Sequence, residues 1–276
     1  MAEGETPAPE VAPAPAAAKP SLWSRVAPLF EGLGGEPGVI VIGVSVVLIV
    51  SHYQGSAGYL RNVVGASLDA HPWNPVFGFF WWFATSGFLY LVLPLILAFA
   101  TRGSFNERYG LQLGDWRAGL SITALFLIVM LPATWVASKM ESFRGIYPLA
   151  GNAAYTLSLG GGKTEVSWTV FLTYELGYLL YFVAWEFLFR GWMIHGMAPK
   201  LGKGTAILMT VIPFAVMHLG KAELETLGSI VAAIALGILS VRTRSMLYGA
   251  LIHGTVAIWM DWLSAKEPLL KALSVP

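Results

Sequence analysis

The chain has no cysteine. That excludes a disulfide framework, a thiolate metal site and a cysteine nucleophile. It also has little charge. Asp, Glu, Lys and Arg make up 12% of its 276 residues, against about 25% in soluble domains. The 17 Lys+Arg nearly cancel the 16 Asp+Glu, for a net charge of +1. A nucleic-acid binder needs a basic face to displace phosphate counterions, so no nucleic-acid partner is expected. The sequence holds no HExxH, no GxSxG and no GxxxxGK[ST]. A helix-borne zincin pair, a serine-hydrolase elbow and a phosphate-binding loop are therefore excluded. What is abundant is apolar: 56% of residues are hydrophobic.

The few charges are unevenly placed. Residues 37–60, 70–101, 118–138, 204–220, 226–241 and 245–260 contain no Asp, Glu, Lys or Arg. A membrane helix needs about 20 mainly apolar residues. The shorter windows reach that length because flanking Lys and Arg can snorkel to the interface. The stretch 166–197 is equally apolar but carries Glu175, Glu186 and Arg190. Together these windows predict an all-α, polytopic membrane bundle of about seven transmembrane helices in contact with the lipid bilayer. Residues 145–162 are also free of charge but rich in Gly and small polar residues, and read as a loop.

Residues 1–20 form a Pro/Ala-rich segment expected to be a disordered tail. It lacks the basic and apolar regions of a secretory signal. Residues 21–276 read as the membrane domain, with a short interfacial helix at Ser21–Phe30. Loops at 1–37, 102–117, 198–204 and 242–245 carry slightly more Lys and Arg than the opposite side. The positive-inside rule then places the N-terminus in the cytoplasm. Tryptophans near the segment ends, such as Trp73, Trp168 and Trp262, suit an interfacial belt.

An ionisable side chain at membrane depth is costly and points to function. Glu186 and Arg190 are four apart and share a helix face. An ion pair that only neutralises both is one reading. Glu175 lies three turns earlier on the same face, about 16 Å away along the axis. It can line the same cavity without touching Glu186. His52, His71 and His195 read as interfacial, His195 being half a turn away from the Glu186 face. His218 and His253 sit in apolar helical sequence. A desolvated Glu with two His suits activation of water and stabilisation of an oxyanion. Two His and a carboxylate can alternatively hold zinc with a water in the fourth position.

The blocks WEFLFRGWMIHGM, FAVMHLGKAELETLGS and GILSVRTRSMLYGALIHGTVAIWMD resemble the CPBP family of intramembrane proteases. These are the CAAX-processing and bacteriocin-processing, abortive-infection-type proteins. The resemblance covers about residues 166–264, the protease-like core of the chain. Its pattern is Glu-Glu-x-x-x-Arg, then Phe-x-x-x-His, then His-x-x-x-Asn/Asp. Glu186 and Arg190 match the first motif, Phe214 and His218 the second, and His253 the third. Trp185 stands at the first Glu and Ala257 at the final Asn/Asp.

The resemblance implies an intramembrane endopeptidase that cuts near the C-terminus of a membrane-associated or lipidated protein. It implies a multi-pass protein of the bacterial inner membrane. Glu186, Arg190, His218 and His253 would be the catalytic set, with Glu186 activating water. Trp185, Phe214 and Glu175 would line the pocket. No cofactor is required in this reading. Zinc on Glu186, His218 and His253 is the alternative. A non-catalytic membrane scaffold of the same fold is the competing function, motivated by Trp185 and Ala257. A solute transporter would show inverted repeats or broken-helix pairs, and neither occurs.

Overall fold

The computed structural model describes residues 35–100 and 109–274. The expected tail at 1–20 and the interfacial helix at Ser21–Phe30 lie outside the described residues.

Each apolar window holds a helix. Helix α1 spans Glu36–Tyr53 and opens on Pro37, whose missing N–H is harmless in the first turn. A short helix α2 follows at Ala57–Val64. Helix α3 (Asn74–Gly87) runs through a π-helical turn, Phe88–Val92, into α4 (Leu93–Ala100). Helix α5 covers Trp116–Ala137. Its N-cap Asp115 accepts the Ala118 N–H at 3.2 Å, and Arg242 Nη1 donates to the same carboxylate at 2.8 Å. The Ala118 N–H, and then Arg242, hold the Asp115 carboxyl below its ordinary range.

Helix α6 (Trp168–Glu186) starts from Ser167, which caps Val170, and continues as a π-helix over Phe187–His195. Then come α7 (Gly196–Leu201), α8 (Lys203–Val216), α9 (Glu223–Thr243) and α10 (Leu247–Leu273). Helix α6 packs on α3 and α10, α5 packs on α10, and α8 packs on α9. The π-helical continuation of α6 is buried along its length from Phe187 to Ile194 and occupies the centre of the bundle.

Among the described residues four helices are long and apolar enough to cross a membrane: Glu36–Tyr53, Asn74–Phe99, Trp116–Ala137 and Glu223–Thr243. Their faces show what surrounds them. In α1, Ile40, Val44, Val47 and Ser51 form the buried stripe, yet Ile42, Val46 and Ile49 stand exposed. In α5, Leu125, Ile128 and Val129 are exposed. A soluble bundle would put polar residues there, and only a lipid solvent suits helices apolar on every side. The chain is an integral membrane protein with an all-α bundle.

Residues 145–162 are not wholly a loop. They include a one-turn 3-10 helix, Gly151–Ala154, and strand β1 (Thr156–Gly160). Strand β1 pairs antiparallel with β2 (Lys163–Val166). The alternation Thr-Leu-Ser-Leu supplies a strand face, and Gly160, Gly161 and Gly162 turn the chain at positive φ. Glycine richness masked a hairpin in the sequence reading.

Candidate functional site

The site begins at the end of α6. Glu186 and Arg190 are fully buried, and Arg190 Nη1 donates to Glu186 Oε1 at 3.0 Å. The i, i+4 spacing forms this pair within one helix, as the sequence suggests. Arg190 is held further by α8 and α9. Its Cζ lies 4.2 Å from the centre of the Phe214 ring, and Nη2 donates to the Ala232 carbonyl at 3.3 Å. Phe214 therefore supplies a π face to a desolvated cation.

The third helix to reach the pair is α10. His253 Nδ1 lies 2.9 Å from Glu186 Oε1. An ionised carboxylate only accepts, so Nδ1 carries the hydrogen and Nε2 keeps its lone pair. Gly249, one turn earlier, lets α10 come this close. A Cβ on Gly249 would stand 2.6 Å from Glu186 Oε2. That oxygen has no hydrogen-bond partner among the described residues.

His218 follows α8. Its Nδ1 lies 2.7 Å from the Phe214 carbonyl oxygen. A carbonyl only accepts, so here too Nδ1 is the protonated nitrogen and Nε2 the free one. The His218 and His253 rings are nearly parallel, 11° apart in plane and 6.2 Å between centres. Trp185 stands edge-on to both, at 5.8 Å and 6.3 Å.

These histidines border a cavity of about 590 Å³, most of its wall apolar or aromatic. Trp185, Phe214, His218, His253 and Ala257 line it. Trp185 and Phe214, expected at the pocket, are on this wall, and two other expected residues are not. Glu186 is not on the wall. It is fully buried and is joined to the wall through His253. Glu175 is not on the wall either. It is buried between α6 and α10, and neither of its oxygens has a hydrogen-bond partner among the described residues. The α6 residues on the wall are Tyr178, Tyr181, Phe182 and Trp185, one turn and more after Glu175.

His195 packs into the protein rather than standing clear of it. It is half-buried, with Nε2 3.0 Å from Ser240 Oγ. The 100° step used to orient it does not hold along a π-helix, whose i→i+5 ladder puts more residues in each turn. His52 and His71 are exposed, as the sequence suggests. Asp261 does not replace the missing Asn/Asp at Ala257. Its Oδ1 accepts the Leu149 N–H at 3.0 Å, behind the cavity wall.

A second polar group on the wall escaped the sequence reading. Tyr147 lies 2.7 Å and 2.8 Å from the two Glu225 oxygens through its hydroxyl. Lys221 Nζ donates to the same hydroxyl at 3.1 Å and lies 4.6 Å from the Tyr147 ring centre. The available signal was Lys221 and Glu225, four apart, just before an apolar run.

Glu186, His218 and His253 do not fit a zinc site. The Glu186 oxygen that faces His253 already takes its Nδ1–H and an Arg190 N–H. Glu186 is thus a partner of His253 rather than a fellow ligand. Among the described residues no group of three or more His, Cys, Asp or Glu is arranged to hold a metal ion.

Residues 167–259 match the model of the family described as type II CAAX prenyl endopeptidase Rce1-like. The match contains the first two blocks and the third up to Trp259, and so every motif residue from Glu186 to His253. No curated protein matches the chain. No solved structure matches it.

Proposed function

We propose, from the Rce1-like match over residues 167–259, that this protein is an intramembrane endopeptidase. It cuts near the C-terminus of a membrane-associated or lipidated protein. It resides in the inner membrane of a bacterium, with its N-terminus in the cytoplasm. The observation that carries this reading is the placement of His218 and His253 on one cavity, each with Nδ1–H committed elsewhere and Nε2 free.

The chemistry follows from the tautomers. A water on the cavity wall can point one hydrogen at each Nε2 lone pair. His253 Nε2 takes a proton as the water oxygen attacks the peptide carbonyl. Glu186 stabilises the imidazolium through Nδ1–H and holds the ring in place. The Nε2–H of His253 then faces the leaving nitrogen and returns the proton as the C–N bond breaks. Glu186 acts through His253 rather than on water directly, because Glu186 is fully buried off the cavity wall while His253, its partner, lies on it. Arg190 pairs with the carboxylate and fixes its position. No step is routed through a metal.

The test is purified protein carrying His253→Ala, His218→Ala or Glu186→Gln. Each should leave a membrane-anchored substrate uncut in cells and in detergent. Unchanged cleavage in the His253 variant would overturn the assignment. Trp185 and Ala257 favour a second reading, a binding protein of the same fold. It predicts that the unmodified chain retains a lipidated tail without cutting it.

A further inference from the structure

The cavity has a charged end that the proposed hydrolysis does not use. Lys221 and Glu225 are the only Asp, Glu, Lys or Arg side chains among its lining residues. They follow His218 by three and seven residues: the Lys221 N–H donates to the His218 carbonyl at 3.1 Å, and Thr226 Oγ1 donates to it at 2.8 Å. The charged group is thus tied to the histidine by backbone geometry.

The two charges are not equally available. Both Glu225 oxygens are turned onto the Tyr147 hydroxyl. The Lys221 ammonium has three N–H donors, and among the described residues a single one is used, on Tyr147. The rest of the cation lies over the Tyr147 ring. Asp261, the nearby carboxylate, is fully buried, bonds Leu149 and does not reach the wall. The cavity is therefore apolar over most of its surface, with one ammonium carrying two unused donors near the reacting centre.

We propose that Lys221 is the specificity-determining residue that receives the terminal carboxylate of the substrate. This rests on the endopeptidase reading and deepens it. Lys221 follows His218 by three residues, so a chain end held there lies a short extended stretch from the histidines. Tyr147 and Glu225 hold the ammonium in place before substrate arrives. A charge-assisted bond to a carboxylate in an apolar wall then fixes the distance from chain end to cut.

The experiment uses the detergent-purified full chain and one farnesylated peptide ending in Cys-Val-Ile-Met, made as the free acid and as the C-terminal amide. Binding is read from tryptophan fluorescence, since Trp82 and Trp185 line the cavity. Cleavage is read in parallel. The free acid should bind about tenfold to a hundredfold tighter than the amide, the range for one hydrogen bond to a charged group. In cleavage the difference should appear in KM with kcat little changed. Lys221→Met should abolish the preference, Lys221→Arg should restore it, and Glu225→Gln should widen it by removing a competing carboxylate.

Equal binding of acid and amide, or no binding of either, overturns the proposal. So does a preference that survives in Lys221→Met. Acid-selective binding without cleavage would sustain the anchor and sink the endopeptidase reading. Cleavage that ignores the terminus would do the reverse.

Discussion

Gly249→Ala adds one methyl group at the point where α10 touches Glu186. The new Cβ would lie 2.6 Å from Oε2, 3.4 Å from Cδ and 3.8 Å from Cγ of Glu186. A carbon rarely approaches an oxygen closer than about 3.3 Å, so against the 2.6 Å position one partner must retreat by about 0.7 Å. Glu186 has little room to do so. Its Oε1 is held by His253 at 2.9 Å and by Arg190 at 3.0 Å. A retreat of that size carries one or both bonds out of the usual hydrogen-bond range. Overpacking of this kind costs about 1–3 kcal/mol, and a lost bond to a charged group about 1.5–3 kcal/mol. A misplacement near 1 Å at a reacting group costs about a hundredfold in rate. Gly249→Ala should therefore lower the thermal midpoint by several degrees and cut kcat by about one to two orders of magnitude. The control is Gly87→Ala, where an added Cβ meets nothing within 4 Å. It should be neutral or slightly stabilising in its helix. If Gly249→Ala keeps the wild-type midpoint and kcat, the Glu186 carboxylate is not fixed by this contact and the reasoning fails.

Other expectations follow from the same packing. Glu186→Gln leaves Arg190 buried without its counter-charge and should destabilise the protein by about 3–5 kcal/mol, read by thermal unfolding in detergent. Arg190→Met with Glu186→Gln, measured as a double-mutant cycle, should recover part of that loss, because both charges are then gone. Asp115 has its carboxyl held below its ordinary value, so its contribution is present above the unfolded value of 3.8 and is lost as pH falls through the folded one. The midpoint of Asp115→Asn should accordingly fall less than that of the unmodified chain between about pH 5 and pH 2.

The membrane architecture was legible because charge is expensive in lipid, so its gaps mark the helices. Glu186 and Arg190 were legible as a pair because four residues along a helix fix their proximity. The bond from Glu186 to His253 was not, since it depends on how α10 lies against α6, and a glycine at 249 gives little hint of that on its own. Glu175 shows the limit of helical phase: it reports direction, but not how far a cavity extends. His195 shows another limit, because its orientation turns on a change of helix type that no residue in FLFRGWMIH announces. The Tyr147, Lys221 and Glu225 group joins a connecting segment to the start of α9, and sequence offers only half of it.

The ion pair between Glu186 and Arg190 also has a bearing on biogenesis. Both residues belong to one helix, and that helix leaves the ribosome before α8, α9 and α10. The two charges can therefore cancel while α6 is still alone with the insertion machinery. His253 and the Ala232 carbonyl arrive only later, when the last helices dock. The pair is thus both a chaperone of its own insertion and the latch onto which the C-terminal helices close.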